Sequence, residues 1–182
     1  GVIHGKQIEK SPQSVQEQLI DMKRKTNGMQ KLLDASRTIA TLDPLEATDN
    51  IITETCRILN CDRATIFTLD DVSHELVLCA AEGIRNIRVP LGQGIAGSVA
   101  ATGETINIVD AYSDTRFNSS SDQATGYHTT TILCMPINNN DGKIVGVVQA
   151  INKKDGQFGV VDEDVMGMLA CQSAIALQNA NL

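Results

Sequence analysis

Two apolar segments joined by a tight turn constrain the fold of this chain more than any other feature. Residues 131–137 and 144–151 are largely apolar, and the connection between them contains the turn sequence Asn-Asn-Asn-Asp-Gly over residues 138–142. Short apolar runs flanked by turn residues predict strands, and an Asp-Gly turn between two of them predicts a β-hairpin. The two strands are therefore expected to pair in the antiparallel sense.

A second hairpin is predicted earlier in the chain. Residues 63–69 and 75–80 have strand-like composition and are separated by the polar residues 70–74. Shorter strands are predicted at 87–89, which ends at a proline, and at 105–108.

Helices are predicted at both ends of the chain and in its middle. Ser11-Pro12 and Asp43-Pro44 each place a capping residue before a proline, which indicates a helix start. Residues 92–103 predict a short glycine-punctuated helix. The last helix, over residues 162–182, begins with acidic residues that suit the positive end of the helix dipole. Consecutive hairpins with flanking helices predict an α+β architecture built on an antiparallel sheet.

The first predicted helix carries a heptad-like seam. Its members step by four and three residues alternately: Val15, Leu19, Met22, Thr26, Met29, Leu33, Ser36 and Ala40. This spacing favours a helix that pairs with a second copy or connects domains, although Gly28 interrupts it and packing on its own domain stays open. We predict a connecting or dimer helix over residues 1–30 and a single domain over residues 31–182.

Charge, cysteine usage and hydropathy exclude several classes of protein. The chain has 182 residues and a formal net charge of -7, whereas a duplex nucleic-acid binder normally carries a basic face. No apolar run reaches the roughly 20 residues of a membrane helix, so we expect a cytoplasmic protein without a membrane partner. The five cysteines form no C-x-x-C pair and the three histidines are far apart, so we expect free thiols, no cofactor and no metal site.

A glycine-rich motif precedes the middle helix. Residues 92–97 are Gly-Gln-Gly-Ile-Ala-Gly, which matches G-x-G-x-x-G. A Rossmann domain needs alternating strands and helices, and a kinase needs H-R-D and D-F-G motifs, which do not occur. Glycines before a helix still allow an anion to approach the free amides at the helix start. A tight turn that only leads into a packed helix is the alternative.

Residues 110–130 form a long polar segment, rich in Ser, Thr, Asp and Asn. We predict a loop here. A loop of this length inside a compact domain is usually functional, and a lid over a binding site is the commonest case.

Four motifs occur in a fixed order along the chain. They are residues 91–100 around the glycine motif, 107–112 with 116–118, 132–137, and the set Asn152, Lys153, Phe158, Asp162 and Glu163. Together they resemble the GAF domains of cyclic-nucleotide phosphodiesterases and cyanobacterial adenylyl cyclases, and the last set matches the N-K-F-D-E signature of that family. The resemblance spans about residues 30–180 and implies the GAF fold, with a lidded ligand pocket on one face of the sheet.

The resemblance also implies a cyclic-nucleotide site and no catalytic residue. The cyclic phosphate would lie at the helix N-terminus, next to Gly94, Ile95 and Ala96. Base, ribose and lid contacts would come from Arg63, Thr65, Glu82, Asn118, Asp122, Thr125, Thr129 and Gln149. Lys153 and Asp162 are expected to form an ion pair that holds the lid and last helix without touching the ligand.

Gln149 bears on the choice of nucleotide. An amide side chain can donate to one edge atom of adenine and accept from the next, whereas guanine presents two donors that suit a carboxylate. Cyclic-GMP-binding relatives often carry glutamate at this position, so we expect cyclic AMP to be preferred, while Glu82 leaves cyclic GMP open. Ala81 stands where some relatives have an aromatic residue that stacks on the base, so some stacking energy is expected to be absent.

The resemblance implies an allosteric sensor that controls a separate output domain, most naturally that of a 3',5'-cyclic-nucleotide phosphodiesterase. An adenylyl cyclase is the second choice of parent protein, and a homodimer through the terminal helices is expected. A structural dimerisation module without ligand is the alternative function. Methionine sulfoxide reduction is disfavoured, because Cys79 and Cys134 lie in apolar strands without a basic neighbour.

Overall fold

The described part of the chain comprises six strands and five α-helices. The computed structural model describes residues 12–39, 44–79 and 87–180. The helices are α1 (Pro12–Ile39), α2 (Pro44–Leu59), α3 (Gly94–Thr102), α4 (Ser120–Thr125) and α5 (Val160–Ala180). The strands are β1 (Cys61–Asp70), β2 (Glu75–Leu78), β3 (Arg88–Pro90), β4 (Ile106–Ile108), β5 (Ile132–Asn138) and β6 (Ile144–Lys153). This order confirms the predicted α+β architecture.

All six strands belong to one antiparallel sheet with the order β3-β2-β1-β6-β5-β4. The two predicted hairpins, β1–β2 and β5–β6, are joined through the long pairing of β1 with β6. In that register Thr65 lies opposite Gln149, which in turn lies opposite Cys134 on β5. These three residues form one row across the middle of the sheet.

Both faces of the sheet are covered. Helices α2 and α5 pack on one face, where Ile66 and Val148 join Ile51 and Leu169 in a buried core. Helix α3 packs on the other face, where Val99 and its neighbours meet the alternate residues of the same strands. Because the central strands are buried on both sides, their sequence is apolar almost throughout instead of alternating between apolar and polar.

Helix α1 extends along the outside of α2 and α5. A Cβ atom on Gly28 would lie 3.5 Å from Val165 Cγ2, so the glycine that interrupts the seam marks the point of contact with α5. Among the seam residues whose side chains are described, Val15, Leu19, Met22 and Met29 are half exposed or more. The predicted boundary between residues 30 and 31 falls inside α1.

The segment 110–130 contains more regular structure than its polar composition indicates. A 3-10 turn spans Ala111–Ser113 and helix α4 spans Ser120–Thr125. The predicted loop is wrong for these residues, because the turn-forming Asp and Ser side chains that favour loops also cap and start short helices. No helix in the described ranges is long and apolar enough to cross a membrane.

Candidate ligand-binding site

A cleft of about 290 Å³ lies on the α3 face of the sheet. Its size is close to the lower end of the range for small-molecule sites in proteins. Its lining comprises a sheet floor, the N-terminus of α3 and a rim, contributed by Phe67, Arg88, Val89, Pro90, Gln93, Gly94, Ile95, Ala96, Phe117, Asn118, Ser121, Ile132 and Gln149.

The N-terminus of α3 opens into this cleft without a protein cap. Gln93 precedes the helix in an extended conformation and its side chain makes no capping hydrogen bond, and the first turn contains no acidic residue. Within the described ranges, no group accepts a hydrogen bond from the backbone amides of Ile95 and Ala96. Both residues are buried, with 5% and 7% of their surface exposed. Helix-start amides without a protein partner need one from another source, and the positive end of the helix dipole favours an anion.

Two glycines of the motif have a geometric requirement. Gly94 has a φ of +67°, a left-handed conformation that other residues rarely adopt. A Cβ atom on Gly97 would lie 2.6 Å from the carbonyl oxygen of Pro90, so only glycine allows α3 to approach the preceding strand this closely. A tight turn and an anion site are compatible here, because the turn leaves the start of α3 without a side-chain cap.

The floor of the cleft is mostly apolar with one amide. Phe67 and Ile132 contribute apolar surface, and Gln149 lies between them on β6. Within the described residues, the side-chain amide of Gln149 makes no hydrogen bond to protein. It is therefore available to a polar group that enters the cleft.

The rim adds a cation that the sequence did not single out. Arg88 on β3 lines the cleft, and its guanidinium lies 3.4 Å from Asp70 Oδ2 and 3.5 Å from Ser73 Oγ. Both distances are long for hydrogen bonds, and about half of the Arg88 side chain is exposed. The sequence gives Arg88 no signal beyond its position four residues before Gly92, the first residue of the glycine motif. On the opposite rim, Asn118 accepts a hydrogen bond from the amide of Ser120.

Asp122 and Thr129 bind each other instead of lining the cleft. The Thr129 amide and hydroxyl donate to the Asp122 carboxylate at 2.7 and 2.9 Å, and the Tyr112 hydroxyl donates to it at 2.8 Å. Burial raises the pKa of Asp122, but these hydrogen bonds outweigh it and hold the pKa below its usual value. The pair therefore folds the segment 110–130 onto itself, which differs from the direct ligand contact expected from sequence.

Three other predicted residues also lie outside the cleft lining, and one lies outside the described residues. The Arg63 guanidinium lies 3.7 Å from the centre of the Tyr127 ring. Thr65 shares the sheet row of Gln149 without lining the cleft, and Thr125 is exposed, with its hydroxyl donating to the Ser121 carbonyl. Glu82 falls in the range 80–86, which the structure does not describe. The structure thus brings together Gly94, Ile95, Ala96, Asn118 and Gln149 at the cleft.

Asn152 anchors the end of the segment 110–130 to the sheet. Its side-chain oxygen accepts from the amides of Thr130 and Thr131, and its nitrogen donates to the Tyr127 hydroxyl and the His128 carbonyl. Its φ of +59° lies in the left-handed region, which asparagine tolerates better than most residues. An amide that both donates and accepts is needed here, so no other residue type replaces it easily.

The Tyr127 hydroxyl extends this anchor to β1. It donates to Asp62 Oδ2, and burial together with this hydrogen bond raises the pKa of Tyr127 to about 12. The phenol therefore stays protonated and remains a donor at neutral pH. The Arg63 guanidinium covers the ring of the same tyrosine.

Lys153 joins three elements at the far end of β6. Its ammonium donates to the Leu59 carbonyl at the end of α2 at 2.6 Å and to Asp162 Oδ1 in α5 at 3.0 Å. Asp162 Oδ2 also accepts from the Gly159 amide. Only 16% and 17% of the Lys153 and Asp162 side chains are exposed, so this ion pair is shielded from water more than a surface pair is.

Phe158 and Glu163, the remaining residues of the N-K-F-D-E set, are hydrogen-bonded to strand β4. The Asn107 side-chain amide donates to the Phe158 carbonyl at 2.9 Å and to Glu163 Oε1 at 3.3 Å. The Phe158 ring is buried in the core between the sheet and the helices α2 and α5. The five residues from Asn152 to Glu163 therefore connect the segment 110–130 and strand β4 to the ends of α2 and α5, and none of them lines the cleft.

Comparison with known proteins identifies the family. Residues 43–177 match the family model of the GAF domain. The chain is 38% identical over 169 residues to a Caenorhabditis elegans protein named "Probable 3',5'-cyclic phosphodiesterase pde-5", covering 83% of this chain and 23% of that protein. It is 37% identical over 156 residues to a dual 3',5'-cyclic-AMP and -GMP phosphodiesterase 11A of Takifugu rubripes, covering 78% of this chain and 17% of that protein.

Solved structures show the same fold. The GAF domain of a phosphoenolpyruvate-protein phosphotransferase from Coxiella burnetii superposes with a TM-score of 0.77 at 22% identity, covering 86% of this chain and 96% of that one. This chain spans less than a quarter of the length of the two phosphodiesterases named above. The matched region is a regulatory module and is not itself a catalyst. The chain belongs to the GAF domain family and is similar to the GAF regions of cyclic-nucleotide phosphodiesterases.

Proposed function

We propose that this domain binds a cyclic nucleotide, with cyclic AMP preferred over cyclic GMP, and thereby regulates a separate output domain. The observation that carries the proposal is the uncapped N-terminus of α3, whose Ile95 and Ala96 amides have no protein partner in the described ranges and lie at a cleft of about 290 Å³. The similarity to regions of cyclic-nucleotide phosphodiesterases supports this choice of ligand.

A cyclic phosphate matches the chemistry of the helix end. It carries a single negative charge, which two amides and the helix dipole can hold without a lysine. Arg88 on the rim adds a positive charge near the same opening. The apolar floor formed by Phe67 and Ile132 suits the faces of a base or ribose.

Gln149 is the residue proposed to read the base. Its unpaired amide lies on the floor of the cleft, and an amide can satisfy the adjacent donor and acceptor of adenine. Guanine presents two adjacent donors instead, which leaves the nitrogen of the glutamine amide without an acceptor. A buried donor that loses its partner costs about 1–3 kcal/mol, which corresponds to a preference of about 5- to 150-fold.

Calorimetric titration with both nucleotides tests the ligand and the reading residue together. We expect saturable one-to-one binding of cyclic AMP by the wild-type domain, with weaker binding of cyclic GMP. The Gln149→Glu variant should reverse this order, because a carboxylate accepts from both guanine donors. Gln157→Glu, an exposed residue outside the cleft, adds the same charge and should keep the wild-type order.

Two outcomes of that titration contradict the proposal in different ways. Absence of binding by the wild type contradicts the sensor and favours a structural module without ligand. Binding with an unchanged order in Gln149→Glu keeps the ligand but removes Gln149 as the reading residue.

The segment 110–130 is proposed to act as the lid of the cleft. Asn118 and Ser121 already line the rim, and Asn152 fixes the end of the segment to β6. A ligand shifts the population toward a closed lid only if the closed state binds it more tightly than the open state. Contacts from this rim to a bound nucleotide would supply that difference in affinity.

We propose that Lys153 transmits closure of the lid to helices α2 and α5. It follows Asn152 directly and holds the end of α2 and the start of α5. Movement of the anchored lid end would therefore act on the two helices against which α1 packs. The output domain is proposed to be the catalytic domain of a 3',5'-cyclic-nucleotide phosphodiesterase, in line with the relatives, with an adenylyl cyclase as the alternative.

Replacing Asp162 by asparagine tests whether the ion pair supports binding from a distance. Asparagine keeps an acceptor for the Gly159 amide but removes the charge opposite Lys153. We expect cyclic AMP affinity to fall about three- to tenfold, since about 1 kcal/mol of lid support is lost. Asp141→Asn removes an exposed charge in the β5–β6 turn and should leave affinity unchanged. A lower free energy of unfolding in Asp162→Asn with wild-type affinity would limit the ion pair to a structural role.

The exposed faces of α1 and α5 support a homodimer through the terminal helices. Val161, Met168 and Ile175 on α5 lie seven residues apart and are 40%, 39% and 60% exposed. Met22 and Met29 on α1 repeat the same spacing. Apolar residues at heptad spacing on exposed helix surfaces suit a helical partner of the same pitch, such as a second copy of this chain.

Sedimentation equilibrium tests the dimer. The wild-type chain of 19.5 kDa is expected to sediment at twice that mass. Met168→Asp should shift it to the monomer, because a carboxylate at the centre of an apolar interface loses its hydration. Val72→Asp, in the exposed β1–β2 turn, should remain dimeric. A wild-type chain that sediments as a monomer at all concentrations would rule out this interface.

A further inference from the structure

Two cysteines meet at the junction between α2 and β1, on the side of the sheet away from the cleft. Cys56 lies in the last turn of α2 and Cys61 is the first residue of β1. Asn60 between them has a φ of +51°, the left-handed conformation that commonly ends a helix. Cys56 lies four residues before Asn60, and Cys61 follows it directly. In helices that end in this way, the side chains at these two positions frequently contact each other.

The two cysteines lie next to each other in the core between the sheet, α2 and α5. The Cys61 thiol donates a hydrogen bond to the Arg63 carbonyl at 3.6 Å. Cys61 is 2% exposed, whereas Cys56 is partly exposed. The pair therefore combines one thiol that solvent can reach with one that it cannot.

The surroundings favour a thiolate on Cys56. The neighbouring Cys61 thiol lowers the pKa of Cys56, and the charge of Lys154 acts in the same direction, while burial and Asp62 oppose them. The neighbouring Cys56 thiol and burial raise the pKa of Cys61. The reachable sulfur is thus the better nucleophile of the two, because the thiolate is the reactive form.

We propose that Cys56 and Cys61 are a redox-active thiol pair that a hydroperoxide converts into an intramolecular disulfide. The Cys56 thiolate attacks one oxygen of hydrogen peroxide, the O–O bond breaks, and with one proton the products are a sulfenic acid and water. The Cys61 sulfur then attacks the sulfenic sulfur, the S–O bond breaks, and the proton of Cys61 leaves with the hydroxyl as a second water. Overall, two thiols lose two electrons and two protons, and the peroxide is reduced to two waters.

The site of this modification adjoins the Lys153 contact. A Cys56–Cys61 bond closes a small ring that contains Leu59, whose carbonyl accepts the Lys153 ammonium. Cys61 is also the register partner of Lys153 in the sheet. Oxidation would therefore add a covalent restraint at the end of α2, beside a contact that already forms with both thiols free.

Peptide mapping of the full chain tests the pair without reference to any nucleotide. Trypsin cleaves after Arg57, between the two cysteines, so peptides 38–57 and 58–63 separate unless a disulfide joins them. The protein is treated with one equivalent of hydrogen peroxide, its remaining thiols are alkylated, and it is digested without reductant. We expect a linked species with the summed mass of both peptides less two hydrogens, which disappears after treatment with dithiothreitol.

The exposed Cys171 serves as an internal comparison for general thiol oxidation. We expect the 38–57 and 58–63 peptides to be linked in most molecules while Cys171 remains mostly alkylated. The Cys171→Ser variant should give the same linked species, and Cys56→Ser should not. The proposal is overturned if both cysteines of the pair stay alkylated, if Cys56 advances only to sulfinic or sulfonic acid, or if the disulfides found join Cys171 of two molecules.

Discussion

The pairing of β1 with β6 positions both the floor of the cleft and the contact between the sheet and the helices. Its register places Gln149 on the α3 face of the sheet and Val148 and Ala150 on the α2–α5 face. A slip of one residue would reverse these faces, burying an amide among aliphatic side chains. The same register brings Lys153 to the end of β6 beside Leu59, so the floor of the cleft and the contact to the helices depend on one set of strand hydrogen bonds.

The polar groups discussed above are of two kinds, which differ in whether the protein itself supplies their hydrogen-bond partners. One kind is satisfied by the protein: Asp122 with Thr129, Asn152 with the end of the segment 110–130, and Lys153 with Asp162. The other kind, the amides at the start of α3 and the side chain of Gln149, makes no hydrogen bond within the described ranges. The groups of the second kind share one cleft, which is the reason that we propose a ligand there.

Strands and helices were predicted from the sequence more accurately than side-chain contacts were. Hairpin turns, proline starts and glycine spacing located the strands and helices, because these signals act through local backbone geometry. Asp122 was expected at the ligand because its residue type suits a polar lid, but only the tertiary fold shows that Thr129 and Tyr112 occupy its oxygens. Arg88 was missed for the opposite reason, since a lone arginine on a three-residue strand carries no local signal.

The central claim is that the Ile95 and Ala96 amides bind the phosphate of a cyclic nucleotide. Nitrogen-15 NMR of the labelled domain measures this directly, because hydrogen bonding to an anion shifts the resonance of the donating amide. Titration with cyclic AMP is expected to shift these two amides in a saturable way, while adenosine, which lacks the phosphate, should leave them almost unchanged. Saturable binding of cyclic AMP with both amides unmoved, or equal shifts with adenosine, would contradict the account.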